Sequence, residues 1–198
     1  MIYIYGASGH GKVIYDCLEA NGIRNIAFID DNPNKSEFIG LPVYRSSIVE
    51  GIESSIIFGI GDNNTRRRLS EKLNVNSTAL FHPSAIISNK TIIGSGTVIF
   101  QGAVVQADTN IGRHCIINTK ASVDHDCVIG DYVHISPGAT VCGGVSIDNE
   151  TWIGAGSTII QGIKIGKNVI IGAGSVIRKN IPDNVLVAGN PARIIKKI

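Results

Sequence analysis

The stretch VDHDCVIGDYVHISPGATVCGGVSI, residues 123–147, carries an apolar residue at every sixth place: Val123, Ile129, Ile135, Val141 and Ile147. In the same frame the series runs back through Ile117, Ile111, Val105, Ile99, Ile93 and Ile87 to Phe81. It runs forward through Ile153, Ile159, Ile165 and Ile171 to Ile177. The fourth residue after each is mostly small, as at Ala85, Thr91, Thr97, Ala103, Cys115, Ala121, Cys127 and Ala139. A period of six fits neither an amphipathic helix nor an alternating strand. It fits a solenoid of short parallel strands, three hexapeptides to each eighteen-residue coil of a triangular prism. Glycines keep the same register: Gly94, Gly112, Gly130 and Gly166 share one frame with Asp148 in the remaining slot, and Gly138, Gly156 and Gly174 share another. They mark corners where the chain turns. The repeat has room for between five and six coils, each rising by about 4.8 Å. A prism with a bare β-branched face exposes an apolar patch that monomers avoid, so a symmetric oligomer is expected.

The chain has 198 residues, 43% of them hydrophobic, which excludes a disordered polymer. A net charge of +2 points to neither nucleic acid nor a membrane surface as main partner. No run of about twenty apolar residues suggests a membrane span. MIYIYG reads as a strand without a basic leader, so a cytoplasmic protein is expected. Cys17, Cys115, Cys127 and Cys142 are then free thiols; Cys115 and Cys127 take the small inward position of the repeat. No Cys-x-x-Cys pair suggests a metal site, and none is expected.

Residues 1–77 keep no sixfold beat and read as a separate α/β, Rossmann-like domain before the all-β repeat domain, 78–198. Ile2–Tyr5, Ile26–Ile29 and the run from Ile56 to Gly61 read as strands. A helix carries Val13, Ile14, Cys17 and Leu18 and stops at Asn21-Gly22. A second helix spans Asn64 to Leu73, capped by Asp62 or Asn63, with Arg66, Arg67 and Arg68 expected on a solvated face. Between the first strand and first helix lies Gly6-Ala7-Ser8-Gly9-His10-Gly11-Lys12. Glycines and a helix N-terminus suit a phosphate. The loop lacks the dinucleotide spacing, and Val13 stands where a P-loop needs a hydroxyl. Asp30 and Asp31 end the second strand, where an acid accepts from a ribose or simply closes a turn. Gly59 and Gly61 lie on the same carboxyl edge.

MIYIYGASGHGKV at the start, the stretch quoted first, and AGNPARI near the end together resemble the hexapeptide-repeat sugar O- and N-acetyltransferases. That family includes the sialic acid O-acetyltransferases and the PglD-like acetyltransferases of nucleotide-linked amino sugars. The resemblance covers nearly the whole chain. It implies a left-handed parallel β-helix, a homotrimer, acetyl-CoA as co-substrate without a metal, and a UDP-4-amino-sugar type of acceptor. It assigns Ser8, Gly9 and His10 to the nucleotide sugar; Asp30, Asp31 and Gly59, at the same sheet edge, are candidates for that ligand from their position. His134 is similar to a family histidine at the acetyl-CoA arm.

His125, flanked by Asp124 and Asp126, reads alone as a surface histidine with a local ion pair; within the resembling segment it reads as the general base, oriented by Asp126 or Asp124. Gly143, eighteen residues on, falls directly above it, placed for an oxyanion and the acetyl-CoA thioester. Asn118 is a candidate for the acceptor. Ala155 and Ala173 form a small-residue track for pantetheine, and Lys164, Lys167, Arg178, Lys179 and Arg193 are candidates for the CoA phosphates. O-acetylation of sialic acid or another sugar hydroxyl, a zinc carbonic anhydrase on the same prism using His114, His125 and His134, and a non-catalytic solenoid are the alternatives.

Overall fold

A computed structural model of the chain describes residues 1–32, 34, 36–49, 55–75 and 77–198. The N-terminal part is a five-stranded sheet with two helices: β1 (Ile2–Tyr5), α1 (Gly9–Ala20), β2 (Ile26–Ile29), β3 (Glu37–Phe38), β4 (Leu41–Tyr44), β5 (Ser55–Phe58) and α2 (Asn63–Leu73). The strand order is β3-β4-β2-β1-β5, and β1 pairs in parallel with both β2 and β5, as a βαβ unit requires. The β3–β4 ribbon has no counterpart in the sequence reading, and β5 ends at Phe58, leaving Gly59–Gly61 as loop. Asp62 caps α2 by accepting from the Thr65 amide at 2.7 Å.

From β6 (Leu80–Phe81) to β22 (Val176–Ile177), seventeen two-residue strands recur every six residues and form a parallel β-solenoid. They stack into three sheets. Leu80, Val98, Ile116, His134 and Trp152 point out of the first face. Ile86, Val104, Ser122 and Thr140 lie on the second, and Ile92, Asn110, Val128 and Ser146 on the third. The sixfold apolar residues fill the interior; from Val105 to Ile177 none exceeds 3% exposure, so the sheets close on one dry core. Inward Thr, Ser and Cys side chains are satisfied by carbonyls fifteen residues on: Thr97 donates to Gly112, Thr109 to Asp124 and Cys115 to Gly130. The hairpin β23 (Val185–Gly189) and β24 (Ala192–Lys197) extends the first face, with β23 parallel to the last strand there.

Two causes underlie the glycine ladders, not one. At every sixth residue from Gly96 to Gly174 the backbone has positive φ, the conformation each corner demands; Gly138, Gly156 and Gly174 belong here. Gly94, Gly112 and Gly130 do not: a Cβ on Gly94 would lie 2.6 Å from the Gly112 carbonyl carbon, so the neighbouring coil leaves no room for one.

The N-terminal part lies on the first face. Ile4, Ala7, Ile14 and Leu18 share one apolar cluster with Leu80, Val98, Phe100 and Ile116. Over these strands the first face is covered on both sides, by the solenoid core and by the N-terminal part. The other two faces keep Ile86, Ile92 and Val128 at 68%, 69% and 52% exposure. No helix among the described residues is long and apolar enough to cross a membrane.

Candidate active site

His125 stands at the corner between the second and third faces, 61% exposed at its side chain. Two acids divide the work of holding it. Asp124 accepts from the His125 main-chain amide at 2.8 Å, while Asp126 accepts from the ring Nδ1 at 2.7 Å. Asp126 has φ +58, the left-handed conformation of that corner, which Asp tolerates better than most residues. A proton on Nδ1 leaves the Nε2 lone pair as the base. The Asp126 hydrogen bond, then the Asp124 charge, raise the imidazole above its ordinary pKa. The ring lies against Gly143: a Cβ there would sit 2.6 Å from Cε1 and 2.7 Å from Nε2. Among the described residues the Gly143 N–H has no acceptor, whereas the next amide, Gly144, donates to the His125 carbonyl at 2.9 Å. One corner thus gathers a base, its orienting acid and a spare backbone donor, a set suited to acyl transfer.

A second cluster forms where the N-terminal part meets the first face. Ser8 is the N-cap residue of α1, yet its side chain makes no capping bond, and no acid stands in the first turn. The helix start is therefore electropositive and open to an anion. Gly6, Gly11 and Gly59 pack backbone to backbone: a Cβ on Gly11 would meet the Gly6 carbonyl oxygen, and one on Gly59 would meet Gly11 Cα at 3.0 Å. That packing accounts for Gly59. Asp30 Oδ2 accepts from the Ala7 amide at 3.1 Å and so steadies the glycine loop. Asp31 accepts from the Tyr5 hydroxyl at 2.7 Å and the Ser46 amide at 2.9 Å.

His134 is 7% exposed beneath the N-terminal part, not an open surface group. Its ring stacks on Trp152 at 5.5 Å between centroids and an interplanar angle of 5°, and lies 6.3 Å from His10. Its Nδ1 donates to the Gly61 carbonyl at 3.3 Å, and Asn118 Nδ2 lies 3.1 Å from Nε2. Burial, then the Arg66 charge, push His134 down to about 3 and His10 down to about 4, so both are neutral near pH 7. Ala155 and Ala173 are exposed at the corner between the first and second faces, beside Gly156 and Gly174, where a Cβ would meet only open space. The chain brings His125, Asp126 and Gly143 together, and separately His10, His134 and Asn118. One full prism face lies between the two groups.

His114 sits at the third corner, stacked on Tyr132, so His114, His125 and His134 do not converge on a point. Among the candidate phosphate ligands, Arg178, Lys179 and Arg193 line a groove of about 700 Å³ at the C-terminal end of the prism. Lys167 instead pairs with Glu150 at 3.5 Å.

The expectation of a solvated arginine face on α2 is wrong for Arg66, which is 2% exposed. It donates to the carbonyls of His114 at 2.8 Å, Ile60 at 3.0 Å, Gly61 at 3.2 Å and Tyr132 at 3.0 Å, and to Asn63 Oδ1 at 2.7 Å. Asn63 in turn donates to the Glu150 and Thr151 carbonyls, and Arg67 pairs with Glu150 at 3.1 Å. Arg67 is half-buried and Arg68 is exposed. Asn63, Arg66 and Ser70 recur at helical spacing, a polar buried stripe that a search for apolar periodicity passes over.

The model described as the PglD N-terminal domain matches residues 1–73, and that of the bacterial transferase hexapeptide (six repeats) matches 108–143 and 144–179. The acetyltransferase domain of PglB from Neisseria gonorrhoeae FA1090, solved with acetyl coenzyme A, is 38% identical, with TM-score 0.93 and coverage of 98% of both chains. PerB from Caulobacter crescentus, solved with CoA and GDP-perosamine, is 35% identical, with TM-score 0.92 over 98% of this chain and 97% of that one. A UDP-N-acetylbacillosamine N-acetyltransferase of Bacillus subtilis (strain 168) is 41% identical over 103 residues, 47% of this chain and about half, 48%, of that relative's length. The chain belongs to the hexapeptide-repeat sugar acetyltransferases whose parallel β-solenoid follows a PglD N-terminal domain.

Proposed function

We propose that the protein transfers acetyl from acetyl-CoA to the amine of a nucleotide-linked 4-amino sugar, of the UDP type, in bacterial glycan synthesis. The observation that carries this reading is the His125–Asp126 pair lying over the unspent N–H of Gly143. The amine nitrogen attacks the thioester carbonyl carbon while His125 Nε2 takes its proton. The oxygen, now negative, accepts from the Gly143 N–H. The carbon–sulfur bond then breaks, and the imidazolium returns its proton to the leaving CoA sulfur. A positioned base of this kind contributes ~10²–10⁴-fold. The open N-terminus of α1, with Ser8, Gly9 and His10, takes the nucleotide phosphates, and Asn118 and His134 face the acceptor and the acetyl arm. Ala155 and Ala173 border the pantetheine path, and Arg178, Lys179 and Arg193 take the CoA phosphates. We assign 1–77 to the nucleotide sugar and 78–198 to acetyl-CoA.

In this reading the active protein is a homotrimer. His125 and the nucleotide loop lie a whole prism face apart in one chain, and two faces keep exposed isoleucines. A threefold arrangement sets the His125 corner of one protomer against the His134 side of the next and covers apolar surface at the same time. Four unpaired cysteines suit a cytoplasmic setting. The test is a panel of UDP-, GDP- and CMP-linked sugars, with and without a free amine, screened for thermal stabilisation and then for acetyl-CoA consumption. Stabilisation and turnover confined to the amino sugars support the proposal; turnover of a sugar hydroxyl alone overturns it.

A further inference from the structure

Arg66 is a buried cation, and among the described residues no carboxylate bonds it. Its guanidinium is held by four main-chain carbonyls and Asn63, and burial lowers it to about 10, still charged at neutral pH. A desolvated charge placed this way is costly unless every donor is met. A neutral side chain would join α2 to the solenoid at less cost. One of those carbonyls matters beyond packing. The Gly61 oxygen accepts from Arg66 and also from His134 Nδ1, so the two side chains share a single acceptor.

We propose that Arg66 is a positioning residue for acetyl transfer: by fixing the Gly61 carbonyl it holds His134 as the uncharged tautomer with its proton on Nδ1 and the Nε2 lone pair turned to Asn118. The titratable and charged groups acting on His134 are Arg66 on α2 and His10 on α1, and no carboxylate is among them. Both work against a second proton. The benefit follows from the proposed mechanism, on which this part rests: an imidazolium at His134 would repel the imidazolium that His125 becomes during transfer.

Trp152 is the only tryptophan in the chain and is stacked on His134, so its emission reports the charge of that ring. A protonated imidazole in contact with an indole quenches it. In the wild type, Trp152 emission stays flat between about pH 5 and 8. In Arg66→Met it falls on acidification, with a midpoint above the wild type's and below the ordinary imidazole value of about 6.5, because burial, the larger cause, remains. Arg66→Lys, which keeps the charge but loses the planar fork, stays flat. An Arg66→Met midpoint no higher than the wild type's overturns the proposal. If that variant does not fold, ¹⁵N shifts of the wild-type His134 ring decide: an Nδ1-protonated neutral ring at pH 6 is expected, and an Nε2–H tautomer or an imidazolium overturns it. In the acetyl-transfer assay, Arg66→Met loses severalfold in kcat at pH 5 and less at pH 8, with KM for the sugar little changed. An equal loss at both pH values overturns the positioning role. The fluorescence and ¹⁵N readouts need no substrate, so a wild type without acetyl transfer would refute the proposed function and leave them standing.

Discussion

Gly143→Ala puts one methyl group between the base and its floor. The added Cβ would lie 2.6 Å from His125 Cε1, and an ordinary contact begins at 3.4 Å, so the ring retreats by about 0.8 Å. The backbone has no reason to yield instead, because Gly143 lies outside the positive-φ region. His125 does yield, being 61% exposed and, among the described residues, anchored at its ring by Asp126 alone. A displacement near 1 Å costs about 10²-fold in rate, or about 2.7 kcal/mol of barrier. Stability is expected to move by under about 0.5 kcal/mol, within ~2 °C in Tm for a chain of this size. The assay is CoA thiol release with the amino-sugar acceptor, alongside a thermal melt. A Gly143→Ala protein that keeps more than half the wild-type kcat/KM with an unchanged melt refutes the ring-over-glycine geometry as the working one.

Asp126→Asn keeps a residue suited to the left-handed corner but removes the charge that raises His125. The base works deprotonated, so kcat/KM falls as pH drops through its raised pKa. In the variant that acid limb moves to lower pH, and the plateau falls by about 10²-fold as the tautomer is lost. Charge reversal at Arg178 and Arg193 raises KM for acetyl-CoA by about tenfold each and leaves KM for the sugar alone, measured by varying one substrate at a time. Acid weakens the fold in a stated window. His10 and His114 are lowered to about 4 by burial, and His134 to about 3. Their contribution is complete above the unfolded value of about 6.5 and is lost as pH falls towards the folded values. It amounts to about 2–3 kcal/mol per histidine by pH 4.5, read from urea unfolding at pH 7 and pH 4.5.

The prism is legible because a period of six has one structural solution, and the eighteen-residue step alone sets Gly143 over His125. The corner geometry was legible only in part. Positive φ falls every sixth residue, but Asp108, His114, Lys120, Asp126, Tyr132, Glu150 and Asn168 fill half the places where glycine would announce it. The burial of His134 was not legible, since it comes from packing between two parts of the chain that share no periodic signal. Arg66 misled for the same reason: three consecutive arginines read as a solvated face, and only the carbonyls of Ile60, Gly61, His114 and Tyr132 make a dry place for one of them.

The central claim is that His125 takes the acceptor's proton. His125→Ala, assayed for CoA release with a nucleotide-linked 4-amino sugar at saturating acetyl-CoA, measures it most directly. The account predicts a loss of ~10²–10⁴-fold in kcat with the melting temperature and both substrates' binding preserved. Transfer at near the wild-type rate would contradict it.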